Sequence, residues 1–300
     1  FKQKTAYEIG VRLVGSEMCI RDSFQGGAGD VKILVSGSTG FVGSALCTVL
    51  RGRNHQVVPL MRGGEVAGEV YWDPLAGRLD HERLEGIDAV VHLAGENVAS
   101  GRWNAARRQR IRASRVEGTR LLAASLGQMQ RPPTIAVCAS AIGYYGNRRD
   151  EVMTEESGPG TGFLADVAQE WEQASAPMRD RGIRVVNLRI GVVISPIGAA
   201  LERMLGPFRL GLGGRIGDGR QYMSWISLED VIDAIVFVLD NQTLSGPVNT
   251  VSPGHLTNKE FTRALAKALR RPALLSVPAS LVRIAMGCMG DDHLISSTRL

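Results

Sequence analysis

One stretch, VKILVSGSTGFVGSALCTVLRGRNHQVVPLMRG (residues 31–63), constrains this chain more than any other. A β-branched run from Lys32 to Val35 enters a turn with glycine at 37, 40 and 43. An amphipathic pattern then continues to about Leu50, and a second apolar run covers Val57 to Met61. Strand, glycine turn, helix and strand in that order make one β-α-β unit. Glycine lets the backbone approach an anion closely, and the free amides and dipole of a helix start favour its negative charge. The turn Gly37–Gly43 therefore reads as a pyrophosphate cradle.

The rest of the chain keeps the same rhythm. Buried strands are expected at Val70 to Trp72, Ala89 to Leu93, Thr134 to Cys138 and Arg184 to Leu188, separated by helices near 104–126 and 162–179. Such alternation predicts an α/β fold, a Rossmann-like doubly wound parallel sheet. After Ile194 the pattern changes to a glycine-rich excursion, residues 196–225, before a periodic helix (LEDVIDAIVFVLDN) and a strand (GPVNTVSP) return. Helices TNKEFTRALAKALRR, with Thr257 as its N-cap, and PASLVRIAMGCMG suggest a smaller C-terminal lobe. The expected organisation is a nucleotide-binding domain at 31–195 and 226–252, and a substrate lobe at 196–225 and 253–300.

Composition bounds the function. At 44% hydrophobic and 22% charged residues the chain has the make-up of a soluble enzyme, and no apolar run approaches the roughly 20 residues of a membrane helix. Residues 1–23 fit no element; residues 2–8 and 13–23 resemble translated sequencing-adaptor DNA, and the natural chain is expected to begin near Val31. Without that tail the net charge moves only from +5 to +4. Arginines 107, 108, 110, 112 and 115 cluster on one helix, but aromatic residues make up only 5% of the chain, which argues against nucleic acid as a partner. Outside the tail, Cys47, Cys138 and Cys288 have no metal-ligand spacing, so the expectation is a reducing cytoplasm and no metal.

About 20 residues beyond the glycine turn, an NAD site normally offers an acidic residue to the ribose hydroxyl, whereas this strand ends Met61-Arg62-Gly63. Arg62 suits a 2′-phosphate, so the expected cofactor is NADP(H). Other residues are expected to touch substrate or to shape its pocket. Glu96, directly after the Ala89–Leu93 strand, is a candidate general base or a loop anchor. His92 reads as a buried structural histidine. Trp225 either closes the pocket or belongs to the core.

The motifs GxxGxxG, HLAGENV, SRVEGT, SAIGYYG and WISLEDV resemble the extended short-chain dehydrogenase/reductase superfamily. More narrowly, LAGENV…RW, GYYG, RIGVV, PFRLGLGGRIGDGRQYMSWI and NTVSPGHLTNKEF resemble its "epimerase family" branch of NAD-dependent epimerase/dehydratase-like proteins, with a C-terminal domain that looks truncated at Leu300. The resemblance implies cofactor contacts at Thr39, Gly40, Phe41, Val42, Arg62, Leu93, Ala94, Arg115 and Val193. Arg115 stands where relatives usually carry asparagine, and could reach a cofactor phosphate or a substrate anion. Arg209, Arg215 and Arg220, with Gln221, fall where related enzymes hold an anionic substrate group. Ser227 stands where relatives usually carry histidine.

The superfamily's catalytic pair is a tyrosine and a lysine four residues later on one helix face. In GFLADVAQEWE those positions hold Leu164 and Ala168, and no Tyr or Lys occurs between Asn147 and Trp171. Ser140 matches the superfamily serine. Two alternatives remain open: Ser140 with Tyr144 or Tyr145 (Tyr145 first) and Glu96 runs a different proton transfer, or the protein binds NADP(H) without hydride chemistry, as a sensor or regulator.

Overall fold

A computed structural model gives the structure of residues 31–63, 68–99, 101, 103–278, 280–281 and 296–300. The tail, most of the expected helix PASLVRIAMGCMG, Cys19 and Cys288 lie outside the described residues. The strands in chain order are β1 (Lys32–Ser36), β2 (Gln56–Met61), β3 (Val70–Asp73), β4 (Arg78–Leu79), β5 (Ala89–His92), β6 (Ile135–Ala141), β7 (Arg184–Ile190), β8 (Val192–Ile194), β9 (Gly214–Ile216), β10 (Tyr222–Met223), β11 (Trp225–Ser227), β12 (Gly246–Thr250), β13 (Leu256–Thr257) and β14 (Leu275–Val277). The helices are α1 (Phe41–Gly52), α2 (Ala105–Gln128), α3 (Phe163–Ala174), the single turn α4 (Pro177–Asp180), α5 (Ala199–Arg209), α6 (Leu228–Asp240) and α7 (Asn258–Leu269).

Eight strands form the main sheet in the order β12-β7-β6-β5-β1-β2-β3-β4. All its pairings are parallel except β3 with β4, which adds an antiparallel edge. From β1 the chain moves outward to β2 and β3, then returns to the other side of β1 as β5. That reversal makes the β1/β5 junction the topological switch point, where doubly wound sheets bind ligands at the carboxyl ends of their strands. The fully apolar strands explain themselves by burial on both faces. Ile33, Val35, Val137 and Leu188 pack with α1 and α6 on one face, and Leu34, Val90 and Val185 pack with Leu122 and Leu126 of α2 on the other.

The expected helix over 162–179 is divided. Helix α3 ends at Ala174, and Pro177, which has no backbone N–H to continue a helical ladder, begins the separate turn α4. The glycine-rich excursion and the C-terminal segment share sheets, since β9 pairs with β14 and β10 with β13. Thr257 caps α7 through a capping box with Glu260, as its position suggested. Ser227 caps α6 by accepting from the Asp230 amide, which gives this residue a structural reason of its own.

A buried polar ladder holds the switch point. The Thr119 hydroxyl donates to the Arg115 carbonyl at 2.7 Å, so it accepts from His92 Nε2 at 3.0 Å. His92 Nδ1 is then left to accept from Ser36 Oγ at 2.6 Å, and the serine oxygen in turn accepts from the amides of Leu93 and Ala94, each at 3.1 Å. Every member is satisfied only with a neutral His92 carrying its proton on Nε2. Burial lowers the His92 pKa from 6.5 to about 4. The unfolded chain therefore binds more protons than the folded one between those values, and stability is lost as pH falls through that window, by about 3 kcal/mol in full. Denaturant unfolding is expected to show this acid slope in the wild type and a flatter one in His92→Gln. Identical slopes between pH 4 and 6.5 would refute the assignment.

Candidate active site

The glycine turn sits at the carboxyl end of β1, as its sequence requires. Gly37 has φ +70°, and a methyl group there would lie 2.9 Å from the Leu93 carbonyl carbon; one on Gly43 would collide with the Gly37 carbonyl oxygen. The turn therefore closes only with glycine at both places. Gly40 caps α1 without a side-chain hydrogen bond, and the first turn holds no acidic residue. The opening amides of the helix, on Phe41, Val42 and Gly43, are thus donors with no intrahelical acceptor; Phe41 and Val42 are half-buried beside exposed Thr39, and Gly43 is buried. Ser38 Oγ donates to Met61 Sδ at 3.3 Å, which ties the turn to the end of β2. Next to it, exposed Arg62 forms no ion pair among the described residues. Donor amides, a close backbone and an exposed guanidinium one strand away fit a dinucleotide whose adenosine carries an extra phosphate.

Leu93 and Ala94 abut the turn, held by Ser36, and the chain then runs Gly95-Glu96 beneath α2. The Glu96 amide donates to Ser114 Oγ at 3.0 Å, and its carboxylate takes Arg107 at 2.7 Å with Arg110 at 3.9 Å. Glu96 is thereby an anchored side chain on the rim. Arg115 is drawn inward, away from the exposed arginines of its helix. Its Nη1 donates to the carbonyls of Glu96 (3.0 Å) and Ile111 (3.2 Å), and its guanidinium lies 5.0 Å from the Trp171 ring. Burial lowers its pKa to about 10, only partly offset by Glu96. Val193 stands on β8, opposite Ile226 of β11.

Ser140 and Tyr145 are brought together, but by a network that faces inward. Ser140 and Arg189 are register partners on β6 and β7. Ser140 Oγ donates to Glu172 Oε1 at 2.7 Å, and Arg189 clamps the same carboxylate through Nε and Nη2, both at 2.9 Å. Arg189 Nη1 donates to the Tyr145 hydroxyl at 2.8 Å, which donates to Asn249 Oδ1 at 2.7 Å. Burial raises the Tyr145 pKa against the opposing pull of Arg189, and the residue has no exposed surface. The expectation of Tyr145 as an acid working on substrate meets this obstacle: its hydroxyl is saturated and enclosed. Burial pulls Arg189 down, yet Glu172 and Tyr145 outweigh that and raise its pKa. Tyr144 lays its ring over the same guanidinium, 3.5 Å to the centroid.

At the superfamily's tyrosine position, Leu164 packs with Trp103, Ile111, Val98 and Phe163, and Ala168 is buried. Glu172, Arg189 and Asn249 were not marked as site residues in the sequence. The available signal was Arg189 itself, a cation near the end of the largely apolar run VVNLRI, since a buried charge demands a partner. Arg209, Arg215 and Arg220 all lie exposed on the excursion, Arg220 at 3.9 Å from Asp218. No hydrogen bond or ion pair among the described residues joins them to the glycine turn or to Ser140. Nor do the described residues contain a group of three or more His, Cys, Asp or Glu able to hold a metal, or a helix long and apolar enough to cross a membrane.

The model of the NAD dependent epimerase/dehydratase family matches residues 33–251. The chain belongs to this family. It is 44% identical over 268 residues to epimerase family protein Mb2239 of Mycobacterium bovis, covering 89% of this chain and 88% of the relative. Among solved structures, human epimerase family protein SDR39U1 (isoform 2) with NADPH superposes with a TM-score of 0.83 at 33% identity, covering 90% of each chain. A nucleoside-diphosphate sugar epimerase from Corynebacterium glutamicum gives a TM-score of 0.71 at 34% identity over 90% of this chain and 59% of that one. As a member of an epimerase/dehydratase family, the chain has the extended short-chain dehydrogenase/reductase architecture that its motifs resemble.

The inward network predicts its own energetics. Removing one partner of a buried ion pair costs about 3–5 kcal/mol, and removing one hydroxyl from a satisfied network about 1–2 kcal/mol. Arg189→Met is expected to unfold at markedly lower denaturant than Tyr145→Phe, and both below the wild type. Equal midpoints for Arg189→Met and wild type would show that the clamp contributes nothing.

Proposed function

We propose that this protein binds NADP(H) and acts as an oxidoreductase or epimerase on a small anionic carbonyl or hydroxyl compound, with nucleotide-linked compounds the class to screen first. The observation that carries the reading is the glycine turn with its opening helix amides beside exposed Arg62, which forms no ion pair among the described residues. The NADPH in the SDR39U1 structure and the name of the Corynebacterium relative support it. A bound nicotinamide would supply hydride transfer. The chain's own residues would hold the ends of the cofactor and orient the reacting oxygen.

Gly37, Thr39, Gly40, Phe41, Val42 and Gly43 would cradle the pyrophosphate, Arg62 the 2′-phosphate, and Leu93, Ala94 and Val193 the floor of the crevice. Ser140 is the proposed catalytic group. Because Glu172 accepts its proton, Ser140 offers lone pairs to a ligand, so it would receive a hydrogen bond from a substrate hydroxyl. Tyr145 becomes a positioning residue that acts through Arg189, and Glu96 a carboxylate that must release Arg107 to serve as base. Arg209, Arg215 and Arg220 are the proposed anion contacts of a substrate lobe built from 196–225 and 253–300. A cytoplasmic location belongs to the same proposal.

A second reading has its own observation: Leu164 and Ala168 replace the catalytic pair, and the Tyr145 hydroxyl is enclosed. A non-catalytic NADP(H)-binding regulator would then bind cofactor tightly and oxidise nothing. Calorimetric titration is expected to favour NADPH over NADH, and Arg62→Ala to erase that preference by about 10- to 100-fold, the worth of charge-assisted hydrogen bonds to a phosphate. Tighter binding of NADH would overturn the cofactor assignment. Turnover in a substrate screen that vanishes in Ser140→Ala would select the enzyme over the regulator.

A further inference from the structure

We infer that Arg108 is a substrate contact that holds the oxyanion head group of a compound whose body is apolar. The inference rests on the substrate-binding reading above and deepens it, since it names a residue, a head group and a body.

Charge comes first. Helix α2 carries six arginines. Arg107 and Arg110 reach Glu96, Arg112 reaches Glu170 and Arg120 reaches Glu117. Arg115 is held by the carbonyls of Glu96 and Ile111. Of the six side chains, that of Arg108 alone has neither an ion pair nor a hydrogen bond among the described residues. It is nevertheless half-buried, and its Nε is enclosed without a partner. Arg107 Nε is enclosed too, but that residue spends its Nη groups on Glu96 and on the Asn97 carbonyl. A guanidinium that has lost water without gaining an acceptor is completed by an oxyanion.

Place comes second. The Arg108 guanidinium carbon lies 5.6 Å from the centroid of the Phe163 ring, within reach of a cation–π contact. That ring is itself fixed, edge to face with Trp103 at 5.3 Å, and the Trp103 indole N–H is spent on the Val98 carbonyl. Phe163 opens α3, and the next residue, Leu164, stands at the superfamily's tyrosine position. A methyl group on Gly143 would lie 3.3 Å from Leu164 Cβ, so this wall abuts the turn Ile142–Tyr145, which follows β6 and its Ser140. The unpaired cation is thereby fastened to the same strand-end edge as the proposed catalytic group.

The surroundings give the body. Val98, Phe163 and Leu164 are half-buried members of one apolar cluster with Trp103 and Ile111. Where a phenol would present a hydroxyl to the substrate, Leu164 presents hydrocarbon. A polar ligand body laid on such a wall would lose its hydrogen bonds to water without replacing them. The complement of a hydrocarbon wall beside one unpaired cation is a compound with an apolar body and a carboxylate or phosphate head.

The test titrates the full chain, with and without NADPH, by ligand-observed NMR with three probes that share a benzene ring: phenylacetate, phenyl phosphate and 2-phenylethanol. At least one of the two anions is expected to bind the wild type about tenfold or more tighter than the alcohol, the worth of a charge-assisted hydrogen bond, and the tighter anion names the head group. Arg108→Gln should erase that advantage. Arg108→Lys, which keeps the charge but loses the planar fork, should keep part of it, and Arg112→Gln on the exposed face should keep all of it. Three results would each overturn the inference: no anion binding tighter than the alcohol, an advantage that survives Arg108→Gln, or one lost equally in Arg112→Gln. Thermal melting of each variant reports that it is folded. Failure of the wild type to bind NADPH would sink the cofactor reading alone, since the probes titrated without cofactor still decide Arg108.

Discussion

The Ser36 hydroxyl is the point on which this architecture turns. One oxygen at the carboxyl end of β1 accepts from Leu93 and Ala94 and donates to His92, so it fixes the exit of β5 against the exit of β1. Those two exits are the walls of the crevice at the switch point. The glycine turn can then press its backbone on Leu93, and α1 starts beside that crevice. Because His92 satisfies Thr119 at its other nitrogen, the same contact sets the depth of α2, and with it the position of Arg115 one turn earlier. The exit of β5 and Arg115 are registered by one buried chain of hydrogen bonds, each costly to leave unmade in the apolar interior.

A second constraint shapes the opposite half of the edge. Arg189 cannot remain ionised inside β7 without the carboxylate of Glu172, and that carboxylate fixes Ser140 while the guanidinium fixes Tyr145 and Tyr144. The pair binds helix α3 to strand β7 across β6. It also decides which way the hydroxyls face. Ser140 and Tyr145 spend their protons inward, on Glu172 and Asn249, so Tyr145 is held as framework and Ser140 keeps only acceptor capacity.

Much of this was legible in residue order. The turn 37–43 demanded strand before and helix after, and the alternating apolar runs demanded a parallel sheet covered on both faces. His92 was readable as structural because a titrating ring buried at the end of an apolar strand can remain neutral there. Hydrogen-bond direction was not legible. Nothing in ASAIGYYGN tells that Tyr145 rather than Tyr144 is enclosed, because the choice is made by Asn249, 104 residues away, and by Arg189. Arg115 illustrates the same limit. On the α2 sequence it is one arginine among six, and only the loop from β5 and the ring of Trp171 distinguish it from the others.

The loss of the tyrosine–lysine pair is therefore more than a deletion. Leu164 joins Trp103, Phe163 and Ile111 in an apolar wall, with Trp103 Nε1 satisfied by the Val98 carbonyl at 2.8 Å, so the tyrosine position has been converted into packing. A phenol placed there would need a partner that this wall does not offer. Polarity has moved across the crevice instead, to a guanidinium from α2 and a serine backed by an ion pair. Any proton transfer at this edge must use groups whose charge state the fold already holds fixed, which favours orientation of a ligand's own hydroxyl over donation from a titrating side chain.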